Sequence, residues 1–177
     1  KIKITLFDVD GILTDSKVYW DGEERGFNRS FNTYDGYGIK MLQEAGLKVG
    51  IITGGDSLGV KKRFEGLGVD YLKMGTTDKR QGFEEIMIDC GFDKSEALYM
   101  GDEFFDLPIL KQVGFSATVP HASHEIQEGV DYISQREQIK LFVHLIDCRH
   151  PHLDIDTDVN EFLQANCRES QYILQIF

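Results

Sequence analysis

Lys3 to Asp15 reads KITLFDVDGILTD, and this stretch decides the fold. Ile2, Ile4, Leu6 and Phe7 form an apolar run of β type that ends abruptly in Asp8, Asp10 and Gly11. Unpaired charge is costly inside a core. The run therefore reads as a strand whose C-terminal end emerges from a sheet, the place where open α/β sheets bind ligands. Alternation along an extended chain predicts Asp8 and Asp10 on the same side. Two carboxylates held together repel unless a cation or a shared proton lies between them.

Outward from that stretch, apolar runs alternate with helical patterns. Lys17–Trp20 and Gly26–Phe31 flank Asp21-Gly22 and read as a small β-hairpin. Asp35 is expected to cap a helix with Tyr37, Ile39, Met41, Leu42 and Ala45 on its apolar face, ended by Gly46. Strands are expected at 47–52, 69–72, 97–100, 115–119 and 130–133. Helices are expected through Val60 and Phe64 to Gly66, from Thr77-Asp78 to Gly91, from Phe104 to Lys111, and weakly at His124–Glu128. Such alternation predicts an α/β, doubly wound, Rossmann-like parallel sheet with right-handed crossovers.

Four strand ends carry groups that a core would reject: Asp8 with Asp10, Thr53, Lys79 where its helix begins, and Asp102 with Asp106. In a doubly wound sheet these ends share one edge. Carboxylates with a hydroxyl and an ammonium suit Mg²⁺ plus phosphate, because magnesium takes oxygen ligands at about 2.0–2.1 Å and shares its shell with phosphate. A lysine and a threonine can hold phosphoryl oxygens as charge redistributes.

Composition narrows the partners. The 177 residues are 41% hydrophobic and 28% charged, enough for one domain with a real core. Thirty acidic against 19 basic residues give a net charge of −11, which disfavours nucleic acid and anionic membranes. The three cysteines, Cys90, Cys148 and Cys167, have no CxxC spacing, and no signal peptide or membrane span is apparent. The expectation is a cytoplasmic protein with reduced thiols.

Asp8-Val9-Asp10-Gly11-Ile12-Leu13-Thr14, Thr53 after a strand, Lys79, and Gly101-Asp102-Glu103-Phe104-Phe105-Asp106 resemble the four motifs of the haloacid dehalogenase superfamily of phosphohydrolases. The resemblance covers about residues 1–134. It implies that Asp8 is a nucleophile forming an aspartyl-phosphate. Asp10 would be general acid, then base. Asp8, Asp102 and the Asp10 backbone carbonyl would bind Mg²⁺; Thr53, Gly54 and Lys79 would hold the phosphoryl group; Asp106 would orient Lys79 or a metal-bound water. Superfamily members often carry a cap domain, but the intervals from Asp8 to Thr53 and from Thr53 to Lys79 hold only the hairpin, two helices and a strand. No cap is expected.

FDVDGILTD, the Tyr19 hairpin, DGYGIKML, IITGG, KKR and LGVDYLKMG further resemble the 3-deoxy-D-manno-octulosonate 8-phosphate (Kdo 8-phosphate) phosphatases of lipopolysaccharide biosynthesis. That likeness implies a sugar-acid phosphate substrate, a homotetramer whose hairpins pack together, and Arg63 as a contact to the sugar-acid carboxylate. Tyr19, Trp20, Phe27 and Phe31 fit an assembly surface. Two departures stand out. Gly55 replaces the usual arginine of a TGR motif, which keeps a nonulosonate 9-phosphate phosphatase as an alternative; a non-catalytic oligomerisation domain is a second. A Gly-rich ending is also missing. Residues 138–177 instead resemble part of a small bacterial ribosome-assembly GTPase, without the phosphate loop that nucleotide binding needs. The expected division is thus a phosphatase core over 1–137, with the hairpin at about 16–32, and a separate segment over 138–177.

Overall fold

The computed structural model describes residues 1–76 and 78–133. Thr77 and residues 134–177, which include the end of the expected 1–137 core and the whole expected segment 138–177, lie outside the described residues.

β1 (Ile4–Phe7) lies in the middle of a six-stranded sheet. The chain then makes a two-stranded hairpin, β2 (Tyr19–Trp20) and β3 (Phe27–Asn28), before α1 (Thr33–Glu44) and β4 (Lys48–Ile52). Next come α2 (Leu58–Leu67), β5 (Tyr71–Lys73), α3 (Lys79–Cys90), β6 (Ala97–Met100), α4 (Leu107–Leu110), β7 (Phe115–Thr118), α5 (His124–Gln127) and β8 (Tyr132–Ile133). The strand order is β5-β4-β1-β6-β7-β8, and every pairing in this sheet is parallel. The chain winds outward from β1 to β5, then returns to β6 and winds the other way. Right-handed crossovers place α1 and α2 on one face and the later helices on the other. The sheet reverses direction beside β1, and that switch point is where such sheets form a crevice.

The core accounts for the composition of the strands. All four residues of β1 and all four of β6 are buried, as in a sheet covered on both faces, so neither strand alternates. Ile39 and Leu42 of α1, Val60 and Phe64 of α2, and Phe83 and Ile86 of α3 complete the core. Burying each such side chain contributes roughly 1.5–3 kcal/mol.

Several local expectations shift. α1 is capped by Asn32, whose side chain accepts from Tyr34 N, and not by Asp35, which lies buried in the first turn. Tyr37 points to solvent at 67% exposure, because the buried stripe of α1 is Asp35, Gly36, Ile39 and Leu42. α2 runs past Gly66 to a left-handed cap at Gly68 (φ 63°). The hairpin has only two paired residues per strand; Thr14 bridges to Phe31 at its base. Trp20 and Phe27 meet edge to face at 5.2 Å, and both are exposed.

Candidate active site

β1 ends at Phe7, one residue before the acidic pair. In register, Phe7 lies beside Ile51 of β4 and Met100 of β6, so Asp8, Thr53 and Asp102 leave three adjacent strands at one edge. Asp8 N donates to Met100 O at 2.9 Å, which fixes the nucleophile candidate against β6. Gly11 then turns the chain with φ 84°, and a Cβ there would stand 2.0 Å from Asp102 Oδ2. The glycine is what allows the Asp102 carboxylate to approach the first loop.

Asp8, Asp102 and Asp106 offer carboxylate oxygens that all lie within 4.8 Å of one another. Lys79, at the first position of α3 and only 3% exposed, reaches into this cluster. Its Nζ stands 2.9 Å from Asp8 Oδ2 and 2.9 Å from Asp106 Oδ1. The contact with Asp106 is a directed hydrogen bond, whereas Asp8 Oδ2 accepts none despite its burial. Glu103 lies at the rim, 3.6 Å from the same ammonium.

Asp106 is saturated. Oδ1 accepts from Lys79 and from Tyr99 OH at 2.6 Å; Oδ2 accepts from the backbone N–H of Asp102 at 3.1 Å and of Glu103 at 2.9 Å. Gly101 makes room for it, since a Cβ there would lie 2.4 Å from Asp106 Cγ. Asp106 therefore ties Lys79 and Tyr99 to the backbone of the Asp102 loop.

The electrostatics follow from burial. Desolvation, then the Asp106 charge, push Asp8 up to about 8, even though Lys79 pulls in the opposite direction. Burial would lower the Lys79 ammonium, but Asp8 and Asp106 more than offset it and hold it above its ordinary range. Burial, followed by Asp106, likewise raises the Tyr99 phenol well above its ordinary value. A carboxylate this reluctant to ionise needs a further positive charge.

The donor set is entirely oxygen, which suits a hard cation such as Mg²⁺. Asp8 and Asp102 would hold it, because the oxygens of Asp106 are already committed. Asp10 brings no side-chain oxygen to the cluster. The alternation expected for Asp8 and Asp10 does not apply beyond Phe7: Val9 is fully buried, and Asp10 turns toward the hairpin, where Arg29 Nε and Nη2 donate to it at 2.5 and 2.7 Å.

Thr53 is buried at the end of β4, where its hydroxyl accepts from Gly55 N at 3.0 Å and its own N–H donates to Lys73 O. Gly54 is exposed beside it, with space for a Cβ. Arg63, expected to contact the sugar-acid carboxylate, lies in α2 beside the start of α1. Its guanidinium donates to Asn32 O at 3.1 Å, lies over the Phe31 ring and fills the space beside Gly36. Those contacts tie α2 to the start of α1.

Residues 38–114 match the model of the haloacid dehalogenase-like hydrolases. A Kdo 8-phosphate phosphatase of Haemophilus influenzae is 33% identical over 132 residues, covering 75% of this chain and 73% of the relative. The chain belongs to this phosphatase family. The Escherichia coli K12 enzyme of the same name is 32% identical over 136 residues, covering 76% of this chain and 71% of its own. Among solved structures, the Kdo 8-phosphate phosphatase of Moraxella catarrhalis, in complex with magnesium ion, phosphate ion and Kdo, superposes with a TM-score of 0.72. It is 31% identical, with 76% of this chain and 77% of that one covered.

Arg29 and Tyr99 went unrecognised in the sequence. Tyr99 looks like one more core aromatic of β6, and Arg29 is a charged residue in a polar hairpin. Only the glycine at position 55 pointed toward the space that Arg29 fills.

Proposed function

We propose that this chain hydrolyses Kdo 8-phosphate to Kdo and inorganic phosphate, with Mg²⁺, through an aspartyl-phosphate on Asp8. The observation that carries the reading is the Asp8–Lys79–Asp106 contact at the switch point of a Kdo 8-phosphate phosphatase fold. Asp8 Oδ attacks phosphorus; the ester oxygen leaves with a proton from Asp10; Asp10 then takes a proton from water as the acyl-phosphate is hydrolysed. Thr53 and Gly54 cradle the phosphoryl oxygens, while Lys79, fixed by Asp106, neutralises charge on Asp8 and phosphate. Asp8 and Asp102 would hold Mg²⁺, which would supply charge stabilisation to the phosphoryl transfer. Phosphate release from Kdo 8-phosphate tests this directly: turnover with Mg²⁺ that chelator abolishes supports it, and none under either condition overturns it.

Gly55 favours a second reading, a nonulosonate 9-phosphate as substrate, and equal or faster turnover of that compound would replace Kdo 8-phosphate. The exposed aromatic hairpin, with Val18, Tyr19, Trp20 and Phe27 all at least 47% exposed, supports a homo-oligomer, which we take to be a tetramer in the cytoplasm. The phosphatase unit is assigned to residues 1–137 and the remainder to a separate segment.

A further inference from the structure

We propose that Arg29 is a positioning residue for Asp10, and that the hairpin is keyed to α2 in order to deliver it. The inference rests on the reading of Asp10 as proton donor and acceptor.

Two glycines form the key. A Cβ on Gly55 would lie 2.7 Å from Arg29 Nη2, and a Cβ on Gly59 would lie 2.0 Å from Asn28 Oδ1. One stands in the loop before α2 and the other in its first turn, so β3 and the residue after it press against backbone at both places. The Asn28 side chain also accepts from Arg29 N at 2.9 Å, which sets the direction in which the arginine leaves the hairpin. Its guanidinium then forks onto Asp10 with both Nε and Nη2, the geometry that holds a carboxylate plane most firmly. The Arg29 side chain is 9% exposed and that of Asp10 is 28% exposed, so the pair lies at the inner wall of the site and not on the surface.

An acid–base carboxylate must present one oxygen toward the leaving group and later toward water. Nothing else described on Asp10 fixes its plane so tightly; Thr14 Oγ1 reaches Asp10 Oδ1 only at 3.5 Å. Position 55 therefore controls more than an anion contact. A side chain there would crowd Arg29 Nη2, so the guanidinium would have to shift, and a bulky one would displace it from Asp10.

The test compares a poor and a good leaving group. Proton donation matters for the alkoxide of a sugar phosphate but not for p-nitrophenolate, whereas base assistance to water matters for both. Arg29→Met is expected to lower kcat on Kdo 8-phosphate by about 100-fold with little change in KM, the scale of lost acid–base assistance. With p-nitrophenyl phosphate, the pre-steady-state burst should keep its wild-type rate while steady-state turnover falls. Arg29→Lys should recover part of the loss, and Gly55→Leu should reproduce the Arg29→Met pattern with arginine still present. A burst slowed as much as the steady state, or a rise in KM alone, would overturn the proposal. Asp10→Asn separates the two layers. If it slows turnover and Arg29→Met does not, the Arg29 assignment fails alone; if it leaves turnover unchanged, the reading of Asp10 fails and takes the proposal with it.

Discussion

Asp106→Asn is the sharpest probe of how the site is built. The carboxylate is fully buried and accepts four hydrogen bonds, from Lys79, Tyr99 and the N–H groups of Asp102 and Glu103. An asparagine offers one oxygen and one NH₂. With its oxygen kept on the Lys79 side, the NH₂ faces the part-buried N–H groups of Asp102 and Glu103, which lose their acceptor. A buried unsatisfied donor costs about 1–3 kcal/mol, and two part-buried ones that water can reach fall at the low end, together about 2–3 kcal/mol. Lys79 loses a charged partner as well, but Asp8, relieved of the Asp106 charge, ionises more readily and replaces it. The expected net loss is about 3 kcal/mol, or roughly 6–12 °C in Tm for a chain of this size. Urea and thermal unfolding of the chelator-treated protein measure it, and kcat should fall about 100-fold as the Asp102 loop shifts. A loss below about 1 kcal/mol, or unchanged turnover, would refute the view of Asp106 as the scaffold of the site.

Other outcomes follow from the same geometry. Asp8 carries a pKa raised from 3.8 to about 8, so the folded state keeps a proton that the unfolded chain releases. Its contribution to stability is complete below pH 4 and is lost as pH rises toward 8; metal-free protein should melt lower at pH 9 than at pH 6, and Asp8→Asn should flatten that slope. An unchanged slope in the variant would contradict the assignment. Gly11→Ala should remove Mg²⁺-dependent turnover, because its Cβ would collide with Asp102 and a residue with φ 84° is strained; wild-type kcat in this variant would contradict the close approach. A chain ending at residue 137 is expected to keep hydrolysis of p-nitrophenyl phosphate, whereas insoluble protein would show that the later segment belongs to the core.

The parts of the molecule that were legible in the sequence are those set by local chemistry. β6 runs over the expected Ala97–Met100, and the winding of the sheet follows from apolar runs alternating with capped helices. Asp8 and Asp102 were candidates because each places a charge just past the end of a buried strand, and Lys79, at a helix start, and Asp106, beyond β6, because they complete the motif resemblance. What escaped depends on contacts distant in sequence. Asp35 looks like a cap until the chain shows that Asn32 reaches Tyr34 N first. The contacts of Arg63 with Phe31 and Asn32, which join α2 to the start of α1, are likewise unreadable from its basic run. Arg29 meets Asp10 across 19 positions, through a hairpin docked on two glycines, and no pattern of neighbouring residues encodes that docking.

Chemical capture of the intermediate is the most direct measurement of the central claim. Protein mixed with Kdo 8-phosphate and Mg²⁺, quenched in acid within one turnover and digested, should show a single added phosphoryl group on the peptide bearing Asp8, absent when chelator replaces Mg²⁺. Phosphate released at the full rate with no label on that peptide at any time point would contradict the account.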